Sequence, residues 1–302
     1  MATKIEWAQE VWNPIIGCSK VSAGCRNCYA ERMANRLAHM GVEGYDEVVA
    51  HSGKWAGKTV FVKSQLEKPL HLKKPRRIFV CSMGDLFHES VPDEWLNRVF
   101  DVIQRNPQHK FILLTKRPRR MADYINHVFA ARVFDLPFWL TNVWAGVTVE
   151  SQDCLWRVKE LGRLLTAVRF VSVEPMLGPV RFSRPLIPRG IYGQSSVSYS
   201  TLFNNIDWVI CGGESGPGAR LMHPDWARDL RDECRAAGVP FFFKQWGEYC
   251  HPDQMPEDTY SAVDAAHNLA GYVDRPWKVG RKKAGRLLDG EMWDQFPAQE
   301  YK

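Results

Sequence analysis

The sequence predicts an α/β protein in which helices cover a parallel sheet, and three observations predict it. Short apolar, β-branched segments each end in small or polar residues. Segments with helical apolar spacing fall between them, so strand and helix alternate about six times along the chain. The strand segments are apolar throughout, which places both of their faces against other elements. Such a sheet is either open and doubly wound or curled into a full or partial barrel. In both, ligands sit at the C-terminal ends of the strands.

The first strand candidate spans residues 12–17 and leads into a cysteine-bearing loop. The second, Ile78-Phe79-Val80-Cys81, ends in Ser82-Met83-Gly84-Asp85. The third, Phe111-Ile112-Leu113-Leu114, ends in Thr115-Lys116-Arg117-Pro118. The fourth covers residues 143–149 and ends in Glu150-Ser151. The fifth, 168–173, ends in Glu174-Pro175, and the sixth, 208–211, ends in Gly212-Gly213-Glu214-Ser215-Gly216. A seventh, 239–243, ends in Lys244-Gln245. Polar residues thus gather at the strand ends, which a purely structural fold does not require.

Helices are expected between them. Asp93 is placed to N-cap residues 94–104, whose apolar face carries Trp95, Leu96, Val99, Phe100 and Ile103. A helix over 119–129 carries Met121, Tyr124, Ile125 and Val128. Ser151 is placed to cap a helix over 152–165, and Pro224 opens a helix that Gly238 closes. Three regions break the alternation: a basic insertion over 41–77, a Ser-, Pro- and Gly-containing flexible loop over 181–205, and an irregular basic extension over 247–302. Residues 1–246 are read as the β/α body and 247–302 as a tail packing on it.

Composition is that of an ordinary globular protein, with 45% hydrophobic and 25% charged residues. No apolar run has the length of a membrane span, and the N-terminal residues lack a signal-peptide core, so a cytoplasmic location is expected. The formal charge of +6 permits nucleic-acid binding without establishing it. Basic residues cluster over 63–77, 116–120 and 275–286, which suits either a polyanion or plain solvated loops.

The most informative stretch is Gly17-Cys18-Ser19-Lys20-Val21-Ser22-Ala23-Gly24-Cys25-Arg26-Asn27-Cys28-Tyr29, with three cysteines spaced C-x6-C-x2-C. In a reducing compartment, clustered cysteines suggest metal ligands or redox groups before disulfides. Structural zinc usually takes four ligands, and here a fourth would come from far along the chain, such as His39 or Cys81. An iron–sulfur cluster held by three cysteines leaves one iron open. The remaining cysteines, Cys81, Cys154, Cys211, Cys234 and Cys250, read as small buried hydrophobes.

A strand–loop–helix with three cysteines ahead of a β/α body resembles the radical S-adenosylmethionine (SAM) superfamily. Its usual spacing is C-x3-C-x2-C, so this chain has a first gap longer by three residues. More narrowly, the segments Trp12-Asn13-Pro14-Ile15-Ile16-Gly17-Cys18, Cys25-Arg26-Asn27-Cys28-Tyr29-Ala30-Glu31 and Met83-Gly84-Asp85-Leu86-Phe87-His88 resemble the phage three-Cys-motif family. So do Gly212-Gly213-Glu214-Ser215-Gly216, Phe243-Lys244-Gln245-Trp246-Gly247 and Ala284-Gly285-Arg286-Leu287-Leu288-Asp289-Gly290. The resemblance implies a partial or near-complete (β/α) barrel of six to seven parallel strands. It implies that Cys18, Cys25 and Cys28 hold a 4Fe–4S cluster, and that SAM on the open iron is cleaved to a 5′-deoxyadenosyl radical. An electron donor of the flavodoxin or ferredoxin type and a three-Cys-motif partner protein are the partners it implies.

On this reading Tyr29 lies near the adenine, and Met83, Gly84 and Asp85 meet the SAM ammonium, although Asp85 also suits a helix cap. Lys116 or Arg117 meets the SAM carboxylate, unless each is simply a solvated charge. Glu150 and Ser151 suit ribose hydroxyls. Gly212, Gly213 and Glu214 either approach the adenine or cradle phosphate, although Pro217 fits a dinucleotide fingerprint poorly. Glu174, a carboxylate at a strand end, and Lys244 are the candidate catalytic residues. The expected function is a radical SAM enzyme acting on a nucleic-acid base or nucleotide, with phage-type DNA modification as its setting. The alternative is a zinc-stabilised nucleic-acid-binding module without catalysis.

Overall fold

The computed structural model describes residues 3, 5–131, 141–164, 166–186, 198–255, 257, 260, 261 and 275–298. Seven strands make the main sheet: β1 (Glu10–Trp12), β2 (Arg77–Val80), β3 (Lys110–Thr115), β4 (Val143–Thr148), β5 (Val168–Val173), β6 (Trp208–Gly212) and β7 (Phe241–Gln245). They are hydrogen-bonded in chain order from β1 to β7. The β1–β2, β2–β3, β3–β4 and β6–β7 pairs are parallel. A doubly wound sheet reverses its order at a switch point, and this order never reverses. The fold is therefore α/β with the winding of a partial (β/α) barrel. Every residue of β4 and β6 is buried, as expected for parallel strands covered on both faces.

The chain divides into two compact units. One comprises Met1–Thr148 with Arg163–Phe170, and the other Val149–Gly162 with Val171–Lys302. The first unit carries helices α1 (Tyr29–His39), α2 (Asp93–Gln104) and α3 (Pro118–Ala131). The strand expected over 12–17 is two strands. Pro14 has no N–H to donate to a ladder, so β1 stops at Trp12, and Ile15–Ile16 pairs antiparallel with Val60–Phe61 instead. That pairing draws the 41–77 insertion into a second small core. Ile16, Ala30, Ala34, Tyr45, Val48, Val62 and Met83 are buried together there, with Cys28, Leu37 and Trp55 packed against them. At about 1.5–3 kcal/mol for each large side chain buried, this core anchors the cysteine loop from below. The α2 cap also differs from expectation: Pro92 is the N-cap residue, and Asp93 begins the helix.

The second unit carries helices α4 (Trp156–Leu161) and α5 (Pro224–Ala236). The helix expected over 152–165 is shorter and irregular, a 3₁₀ turn over Gln152–Cys154 followed by α4. Within 181–205, Ser183–Leu186 pairs antiparallel with Ser198–Thr201, while 187–197 lie outside the described residues. The tail is stitched to β7 and β6. Trp293 O accepts from Phe243 N at 2.7 Å, and Gln295 O accepts from Trp208 Nε1 at 2.8 Å. No helix among the described residues is long and apolar enough to cross a membrane.

Candidate functional site

Each unit carries its own polar constellation. In the first, β1 and the Ile15–Ile16 strand deliver the chain to Gly17, which adopts φ +94°, and a Cβ there would lie 2.2 Å from Lys58 O. Gly17 forms a parallel bridge with Gly84 beyond β2, where a Cβ would come within 2.9 Å of Gly17 O. The two glycines thus let the cysteine loop lie directly against the β2 end. Cys18, Cys25 and Cys28 are free and half-buried, whereas the other five cysteines are free and buried. Cys28 is the N-cap residue of α1.

Arg117 organises this loop. Its guanidinium donates to Asp85 Oδ2 at 3.0 Å, Glu89 Oε2 at 2.8 Å and Ser19 Oγ at 2.7 Å. It also donates to Cys18 Sγ at 3.7 Å. Burial opposes the charge on Arg117, but Asp85, Cys18 and Glu89 outweigh it and hold the guanidinium above its usual range. Burial pushes the Cys18 thiol up to about 12, with Asp85 adding to the rise and Arg117 working against it. Cys28 also contributes to that rise, so the two sulfurs lie within electrostatic reach of each other. His88 bonds Ser19 Oγ at 2.9 Å, and burial, then Arg117, lowers its pKa.

The residues expected around a cofactor divide by how heavily they are already engaged. Asp85 is buried and accepts from Thr115 Oγ1 at 2.7 Å and Phe87 N at 3.0 Å as well as from Arg117. Met83 packs into the small core, and Tyr29 is exposed with its hydroxyl donating to Ser82 O at 3.0 Å. Lys116 reaches Thr148 Oγ1 at 3.4 Å. Ser19, His88 and Glu89 were not anticipated. Their roles depend on Arg117 crossing from the third strand end to the cysteine loop, a contact that no local pattern announces.

In the second unit, Glu174 and Lys244 form an ion pair at 3.0 Å, and Gln245 Nε2 donates to the same carboxylate at 3.3 Å. Gly212 lies beside them, where a Cβ would meet the Glu174 carboxylate at 3.2 Å. Glu150 is fully buried and accepts from Arg157 at 2.7 Å. Ser151 makes no cap hydrogen bond, and its hydroxyl faces Cys154 Sγ at 3.9 Å. Gly213 is required by close backbone packing, since a Cβ would fall 1.8 Å from Trp246 O. Glu214 takes a two-pronged contact from Arg220, at 2.8 Å from Nε and 2.6 Å from Nη2. The Gly-rich segment is thus built around Trp246 and Arg220.

Three thiols on one loop match the donor number and type of a three-cysteine iron–sulfur centre. Among the described residues, no group of three or more His, Cys, Asp or Glu side chains is arranged to hold a single metal ion. A cubane cluster makes a different demand, because each thiolate takes its own iron. Cys18, Cys25 and Cys28 fit that donor set.

The fold and the thiol loop define an α/β protein of partial-barrel winding with a candidate metal centre after its first strand. The chain belongs to the family described as "Protein of unknown function (DUF5131)", whose model matches residues 2–297. No curated protein matches it. Among solved structures it is similar to a cysteine-to-serine mutant of spore photoproduct lyase, at 11% identity and a TM-score of 0.42, covering 78% of this chain and 75% of that one.

Proposed function

We propose that this chain is a radical SAM enzyme of the phage three-Cys-motif type, working in a reducing cytoplasm. The observation that carries the reading is the set of free, half-buried thiols Cys18, Cys25 and Cys28 on one loop between the first strands and α1. These three residues would hold a 4Fe–4S cluster. When bound, the cluster supplies the electron that cleaves SAM, and the cofactor carries the hard chemistry.

The chain's own residues supply position. Arg117 ties the Cys18–Ser19 backbone to Asp85, and the Gly17–Gly84 contact fixes the loop against the β2 end. Lys116 carries a cation that suits the SAM carboxylate. Glu174 and Lys244, neutralised by each other and joined by Gln245, form a hydrogen-bonding set suited to orienting a polar substrate. A nucleic-acid base or nucleotide is the substrate class we favour, given the basic stretches over 63–77 and 275–286. An electron-donor protein of the flavodoxin or ferredoxin type and a three-Cys-motif partner complete the proposal.

Anaerobic reconstitution tests it. About four irons per chain are expected, with 5′-deoxyadenosine released on adding dithionite and SAM. Replacing Cys18, Cys25 and Cys28 together by alanine should remove both. Colourless protein that binds stoichiometric zinc and never cleaves SAM would support the non-catalytic alternative.

A further inference from the structure

We infer that Arg286 is an anion-binding residue whose guanidinium edge receives a phosphate or carboxylate group of a ligand. The segment holding it is clamped from both sides by one tryptophan. Trp246 N donates to Gly285 O at 3.3 Å, and Trp246 Nε1 donates to Leu287 O at 2.8 Å. Trp246 is itself buried and immobilised against Gly213. Arg286 is therefore presented on a rigid support beyond the end of β7. Its guanidinium carbon lies over the Phe242 ring, 5.0 Å from the centroid, within cation–π range.

Nε and Nη2 of Arg286 are both buried, and neither has a hydrogen-bond partner among the described residues. These two N–H groups share one edge of the guanidinium and point the same way. That edge takes carboxylate and phosphate oxygens in pairs. Arg220, in the same unit, fills the same edge with Glu214. Arg228 and Arg231 take Asp225, Asp253, Asp289 and Asp232. Among the described residues, Arg286 alone of these four keeps its paired edge unfilled. A guanidinium does not lose its proton, so a buried edge without an anion is costly until one arrives. Two equivalent oxygens on one atom match it, which phosphate esters and carboxylates share.

Anion binding at Arg286 is independent of the proposed radical chemistry, and cluster-free protein tests it. With ¹⁵N-labelled arginine, the Arg286 Nε–H resonance is identified by its loss in Arg286→Lys. The protein is then titrated with inorganic phosphate, a 5′-nucleoside monophosphate, the parent nucleoside and glutarate. A saturable shift of this resonance is expected with the anions and none with the nucleoside. The anion that saturates at the lower concentration identifies phosphate or carboxylate as the source. Arg286→Lys should weaken that binding about tenfold, the loss of a paired charge-assisted contact. A resonance that no anion moves would overturn the inference, as would unchanged affinity in Arg286→Lys. Should the variant not fold, the resonance is assigned by selective labelling and the wild-type titration decides alone.

Discussion

At the scale of single residues, the two units use the same resource differently. Arg117 spreads its five N–H groups over Asp85, Glu89, Ser19 and Cys18, so one side chain sets the position of the cysteine loop. Arg157 pairs with a buried carboxylate, Glu150. Removing one partner of such a pair strands a buried charge. Glu150→Gln should therefore lower stability by about 3 kcal/mol, read by chemical denaturation of the cluster-free protein. Unchanged stability would free Glu150 for the ribose-binding role its strand-end position suggests. His109 provides a pH signature. It is fully buried, and burial lowers its pKa, although Nε2 bonds Pro69 O at 3.3 Å. A depressed histidine contributes stability that is complete above its unfolded pKa of about 6.5 and is lost as pH falls toward the folded value. The melting temperature should thus drop between about pH 7.5 and 5.5, and His109→Gln should shrink that drop.

At the scale of elements, the strands were legible because parallel strands buried on both faces are continuous apolar runs, as in Val143–Thr148 and Trp208–Gly212. Pro224 and Gly238 bracketed their helix for local reasons, and Pro224–Ala236 is where it lies. Breaks set by distant partners were not legible. The first strand splits at Pro14 because the insertion supplies a different partner for Ile15–Ile16. Gly212-Gly213 suggested a close approach to adenine or to phosphate, and Gly213 also meets the Trp246 backbone, a neighbour remote in sequence. Gly213→Ala tests this. A Cβ pressed against backbone has nowhere to go, so a loss of about 2 kcal/mol or more is expected. A neutral substitution would show that the Trp246 contact is not what requires glycine there.

At the scale of the whole molecule, the order of the seven strands decides between the two architectures the alternation allowed, in favour of barrel-type winding. The cysteine loop was legible as a candidate centre from spacing alone. How the loop meets the β2 end was not, since that depends on Gly17 at positive φ bridging Gly84, a neighbour remote in sequence. Cys18, Cys25 and Cys28 are proposed to hold a cluster with one position open to SAM. The direct measurement is an EPR spectrum of the anaerobically reconstituted, dithionite-reduced protein, recorded with and without SAM. The expected result is a reduced 4Fe–4S signal that shifts when SAM is added. A cluster signal indifferent to SAM, or no cluster signal with stoichiometric zinc bound, would contradict it.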